Sequence, residues 1–322
     1  MSESVARRGL AAALAIAVTV SITGFVPADF LFGQSKPLRY PNPSEDAKNQ
    51  ISPQPPSEAE IAARAQRLVA NQHRDDEALK QYERIERHAD FTGEPNPRTI
   101  QDRTYRVVPT GSGTLKILLK DNGTPTDPNE YRRQLQAYED LLELMLRPDD
   151  SRTKLAYEKF DKRNQQRAEL VDSIVDTFAA KWLGRETKNG RPCDLFQLDP
   201  KPDFHPHSIL QEALTHISAK IWVDRDVDEL VRGEAHITRD ISFGGGIIGK
   251  LYRGGVFSMD QGEVSPGIWE PIRYQYDFGG RKFLFSFADH QIVEASHYRR
   301  LGPPKEALTL VQNELASPNL AP

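Results

Sequence analysis

The sequence predicts an α+β fold in which a curved antiparallel β-sheet holds helices on its concave side. Three observations predict it. Aromatic residues alternate along the stretch 241–300, as Tyr274, Tyr276 and Phe278 and again as Phe283, Phe285 and Phe287; period-two alternation marks strands with one apolar face. Asn189-Gly190 stands between two strand-like runs, the dipeptide that best suits a two-residue hairpin turn. Apolar residues at helical spacing precede the first strands and return near 128–166.

The elements follow in order. Arg7 and Arg8 precede an apolar run from Gly9 to Val26, the layout of a secretory signal, and Val26-Pro27-Ala28 supplies small residues for cleavage. Residues 1–34 therefore read as a signal peptide or an uncleaved N-terminal anchor. Six prolines among polar residues make 35–56 a semi-extended linker. A single domain is expected over 57–303. Ser57 with Glu60 forms a capping box, and Ile61, Ala65, Leu68, Val69, Leu79, Tyr82 and Ile85 carry helical spacing to about Ala89. Strands at 99–108 and 114–120 flank Thr110-Gly111-Ser112-Gly113, and Asp121 to Pro125 closes the second of them. A helical insertion at about 128–166 follows, with Leu135, Tyr138, Leu142 and Met145 on one side and a polar helix from Arg152 to about Gln166. Strands are expected from about Ile174, a short helix at 208–216, and a pairing of 220–224 with 230–238. Ser265-Pro266-Gly267 and Gly279-Gly280 read as turns in the aromatic meander. A helix from Pro304 to Leu315 and a tail occupy 304–322.

Composition excludes whole classes. The chain has 322 residues, 38% hydrophobic and 27% charged, with a net charge of −4. That is enough apolar content for a core and no overall attraction to nucleic acid. A mean hydropathy of −0.59 excludes a polytopic membrane protein; membrane contact is expected at most through the N-terminal segment. The single cysteine, Cys193, excludes an internal disulfide and a Cys-rich metal site. It also leaves no cysteine after the apolar run for lipidation, and its setting in 192–198 reads as a small buried strand residue.

Motifs that imitate chemistry give way to plainer readings. Gly244 to Leu251 fits G-x-G-x-x-G and most of the phosphate loop, but Leu251 stands where Ser or Thr should hold magnesium. Tyr252-Arg253-Gly254-Gly255 blocks the helix that phosphate binding needs, so this is a glycine-kinked strand or hairpin. Asp277-Phe278-Gly279 lacks every other kinase motif. His205 and His207, with Asp203, are the residues a metal-dependent hydrolase would use; their proline-rich setting reads as an exposed loop. No metal or cofactor is expected.

The aromatic residues Trp222, Phe243, Phe257, Trp269, Tyr274, Tyr276, Phe283 and Phe285 carry the most information. Either they fill a sheet–helix core, or they line an apolar cavity for an acyl chain.

Three segments sharpen the choice. Gly184, Glu186, Gly190 and Arg191 lie in GRETKNGRPCDLFQLDPKP, Ile221 to Asp224 in KIWVDRDVDELVRGEAHI, and Trp269 and Pro271 in GIWEPIRYQYDF. Together they resemble the outer-membrane lipoprotein carrier and receptor superfamily, the LolA/LolB type with its RseB-like relatives, over about 100–300. The resemblance implies an incomplete barrel closed by helices, a location in the periplasm or cell envelope, and a lipid or lipidated protein as partner. The expectation is a non-enzymatic exported protein that binds a hydrophobic ligand. A filled-core structural or interaction protein of the envelope and, further off, a metal-dependent hydrolase are the alternatives.

Overall fold

A computed structural model describes residues 54–318 and 320, apart from 93–96, 245, 247 and 284. The expected signal segment and most of the linker lie outside the described residues.

Helix α1 spans Glu58–Leu79, and the Ser57 hydroxyl caps it by accepting from the Glu60 amide. It ends ten residues short of the expected Ala89, because Tyr82–Phe91 is strand β1. Tyr82, Ile85 and Ala89 imitate helical spacing. The inward residues of this strand are instead Arg84, Glu86 and His88, where Arg84 and His88 bond Glu86 along the strand and Lys116 reaches the same carboxylate from elsewhere in the sheet.

Strands β2 (Thr99–Pro109), β3 (Thr114–Asp121) and β4 (Thr124–Pro125) follow. Helix α2 (Pro128–Met145) is capped by Asp127, and α3 (Ser151–Thr177) by Asp150. The second runs eleven residues past the expected Gln166, since Leu170, Val171 and Ile174 bury a face near its end. Then come β5 (Phe178–Lys188), β6 (Arg191–Pro200), α4 (Ile209–Leu214), β7 (Ile217–Asp224) and β8 (Leu230–Ile237). Asn189 and Gly190, both at positive φ (50° and 78°), join β5 to β6 in the turn that the dipeptide favours.

The glycine-rich stretch is the small hairpin β9 (Ile241–Phe243) and β10 (Gly249–Leu251). Strands β11 (Val256–Ser265), β12 (Ile268–Lys282) and β13 (Phe285–Arg300) and helix α5 (Pro304–Leu315) complete the chain. Gly279 and Gly280 do not form the expected turn but lie within β12, and the chain reverses after Lys282. Gly280 is required where β10 crosses: an added Cβ would collide with the Lys250 carbonyl and come within 2.7 Å of the Phe287 ring.

All pairings are antiparallel, in the order β4-β3-β2-β1-β13-β12-β11-β8-β7-β6-β5, with β10 joining β12 to β9. The described ends of this order, β4 and β5, do not pair with each other, so the sheet is open. Register shifts interrupt several ladders, and such bulges bend strands and increase local twist.

We call the face that carries Phe257, Met259 and Tyr274 the inner face. Helices α3 and α4 cover its β5–β8 half through Leu170, Phe178, Leu198, Leu214 and Ala219. Helix α1 crosses one end of it, linking Arg64 to Asp194 and Asp228 and Arg74 to Glu229. Helices α2 and α5 pack on the opposite, outer face of β2 and β3, around Val108, Ile117, Leu135, Tyr138 and Val311.

Candidate ligand-binding face

The inner face has an apolar stripe and a polar belt. The stripe runs from Phe257 to Tyr276 (6.1 Å between ring centroids), with Tyr274 5.7 Å and Phe278 6.1 Å from Tyr276, and on to Phe287, 6.2 Å from Phe278. Strand alternation places Tyr274, Tyr276 and Phe278 on one side. The β11 register sets Phe257 opposite Tyr276 and Met259 opposite Tyr274. Phe257, Met259 and Tyr274 are buried, whereas Tyr276, Phe278 and Phe287 remain half-buried.

The belt lies on β1–β3. Arg84 Nε donates to Glu86 at 2.7 Å, His88 Nε2 lies 2.7 Å from the same carboxylate and Lys116 Nζ 3.4 Å from it. Burial works against the Glu86 charge, but Arg84, His88 and Lys116 outweigh it and hold the carboxyl well below its ordinary range. Glu270 lacks so close a cation, and burial lifts it well above that range. Burial likewise pushes Asp75 up to about 6 and Glu229 up to about 7, against the pull of Arg74.

The eight aromatic residues singled out in the sequence fall into four places. Phe257, Tyr274 and Tyr276 come together on the stripe. Phe243 packs beside it with Ile217, Ile237 and Leu251, against Phe278 and Phe287. Trp222, the neighbour of inward Ile221 in β7, points to the outer face and clusters with Trp269, Cys193 and Val231. Its indole N–H donates to Glu186, and Lys188 lies 4.6 Å above its ring. Phe283 and Phe285 flank the β12–β13 reversal, 38% and 65% exposed. Phe283 has φ of 53°, so the alternation expected through Phe287 breaks there.

Phe278 and Phe287 belong to the alternation noted in the sequence but not to the eight candidate residues drawn from it; Met259, Asp90, Asp289 and Gln291 carry no such mark in the sequence. The continued alternation from Tyr274 was a signal for Phe278; the others depend on register. Cys193 is buried, its thiol pushed up to about 11 by burial. His205 and His207 are exposed, and among the described residues no three His, Cys, Asp or Glu side chains are placed to hold a metal ion. A cavity of about 20 Å³ opens beside the stripe, lined by Ile217, Ala235, Ile237, Phe257 and Phe278; it has room for one water molecule.

No known family model and no curated protein matches the chain. Several solved structures are similar to it. A DUF1329 family protein from Desulfovibrio piger is 12% identical, with a TM-score of 0.30 over 74% of this chain and 92% of that one. A LolA superfamily protein from Nitrosomonas europaea is 8% identical, with a TM-score of 0.30 over 76% and 96%. A chain of the Pseudomonas aeruginosa MucA/MucB complex is 8% identical, with a TM-score of 0.20 over 74% and 98%. Among the described residues no helix is long and apolar enough to cross a membrane.

Proposed function

We propose that this chain is an exported, non-enzymatic protein of the cell envelope that binds a hydrophobic ligand, a lipid or the acyl chain of a lipidated protein, along the inner aromatic stripe. One observation carries the reading: Tyr276, Phe278 and Phe287 stay half-buried in the middle strands of an open sheet, where a closed core would cover them. Burial of each ligand methylene there contributes about 0.8 kcal/mol, with little call for hydrogen bonding. Export rests on Arg7, Arg8 and the apolar run after them.

The second reading, an interaction protein with a filled core, draws on the cavity of about 20 Å³, which an acyl chain enters only if the lining side chains move aside. Native mass spectrometry of protein from the envelope fraction separates the two. Co-purified lipid that is lost in Phe257→Ala/Tyr276→Ala supports ligand binding. Protein that carries no lipid, and takes none up from vesicles, favours the filled core.

A further inference from the structure

Tyr276 sits where the apolar stripe meets two acidic side chains. Its hydroxyl donates to Gln291 Oε1 at 2.8 Å, and the Gln291 amide in turn donates to Asp90. The ladders place Tyr276 opposite Gln291, Gln291 opposite Asp90, and Phe278 opposite Asp289. Tyr276, Gln291 and Asp90 thus form one row across β12, β13 and β1. Phe278 and Asp289 form the next row on the same face. All five side chains are half-buried, a floor that solvent still reaches.

The two carboxylates lack the partners that others in this protein have. Glu86 has Arg84, Asp194 has Arg64, Asp260 has Arg232, and Glu83 has Arg106 and Arg299. Among the described residues no lysine or arginine pairs with Asp90 or Asp289. His290 is already bonded through Nδ1 to Asp277 at 2.7 Å. Burial, reinforced by the Asp90 charge, pushes Asp289 up to about 6. Two partly desolvated acids side by side are costly without a cation.

We propose that this end of the stripe takes the positively charged head of an amphiphile, an amine or quaternary ammonium group, between Asp90 and Asp289, with its tail along Tyr276, Phe278 and Phe257. Charge complementarity selects the head. The carboxylates attract it, the aromatic rings of Tyr276 and Phe278 add cation–π attraction, and an anionic head is repelled. The inference rests on the hydrophobic-ligand reading and specifies its ligand.

The test compares two ligands with the same alkyl tail, dodecyltrimethylammonium and dodecanoate, by titration calorimetry below their micellar concentrations at neutral pH. The expected result is binding of the ammonium about 10-fold tighter or more, a ratio that narrows as salt is raised. In Asp90→Asn/Asp289→Asn, confirmed folded by its melting curve, the ratio should fall to near unity while dodecanoate affinity holds or rises. Equal affinity of the two ligands for the wild-type protein overturns the inference and leaves the hydrophobic-ligand reading standing. A folded double variant that keeps the full preference also overturns it. Failure of both ligands to bind overturns both readings. The wild-type ratio decides even if the double variant does not fold.

Discussion

Asp75 and Glu229 lie on either side of Arg74, yet both bind protons more tightly than free carboxyls, because burial outweighs the guanidinium. The sign of the consequence follows. Their folded values, about 6 and about 7, exceed the ordinary 3.8 and 4.5. The native state therefore holds protons that the unfolded chain releases, and stability falls as pH rises from about 4 to about 7, then levels off. Each group accounts for about 3 kcal/mol of that fall at most. Denaturant midpoints measured across this range should decline in the wild type and decline less in Glu229→Gln. Arg64 presents the opposite case: its guanidinium bonds Asp194, Asp228 and the Asp224 carbonyl. Arg64→Ala leaves buried Asp194 short of a partner and should cost about 3–5 kcal/mol in urea unfolding at neutral pH.

At the scale of elements, caps and turns follow local chemistry while register depends on neighbours. Ser57 caps α1 through one side-chain bond, so Ser57→Ala should lower stability by about 1 kcal/mol. The β9–β10 hairpin depends on Gly280, since any side chain there meets the Lys250 carbonyl. Gly280→Ala should separate β10 from β12 and cost about 1–3 kcal/mol, seen as faster hydrogen exchange at Leu251 and Tyr252 with β5–β7 unchanged. Strand β1 shows where local pattern misleads. Tyr82, Ile85 and Ala89 repeat at helical spacing, but Glu86 is buried against Arg84, His88 and Lys116, the last contributed by β3. Propensity and spacing cannot register a partner thirty residues away.

Across the whole molecule, the open sheet is covered on both faces but at different places. Helices α1, α3 and α4 lie on the inner face, and α2 with α5 closes the outer face at β2–β3. Removing residues 304–322 takes away Ala307 and Val311 from that outer cluster and Glu314 from Arg106. At about 1.5–3 kcal/mol per large buried side chain, the truncated chain should melt well below the full chain and bind a hydrophobic dye. The stripe around Tyr276 lies on the other face, so ligand uptake by any truncated protein that remains folded should persist.

Local devices are legible in the residues alone: the Asn189-Gly190 turn, the Ser57 cap, the hairpin at 99–121, the alternation of Tyr274, Tyr276 and Phe278, and the last helix. Each depends on neighbours within a few residues, which is the range of backbone sterics and side-chain periodicity. Long-range pairing makes 82–91 a strand, sets Trp222 and Tyr274 on opposite sides of the sheet, and brings Asp289 and Asp90 beside Tyr276. Those outcomes turn on strand register, where a one-residue bulge reverses the face of every following side chain. They turn also on buried charges, whose burial is affordable only when a partner distant in sequence, as Asp194 is for Arg64, arrives through the fold.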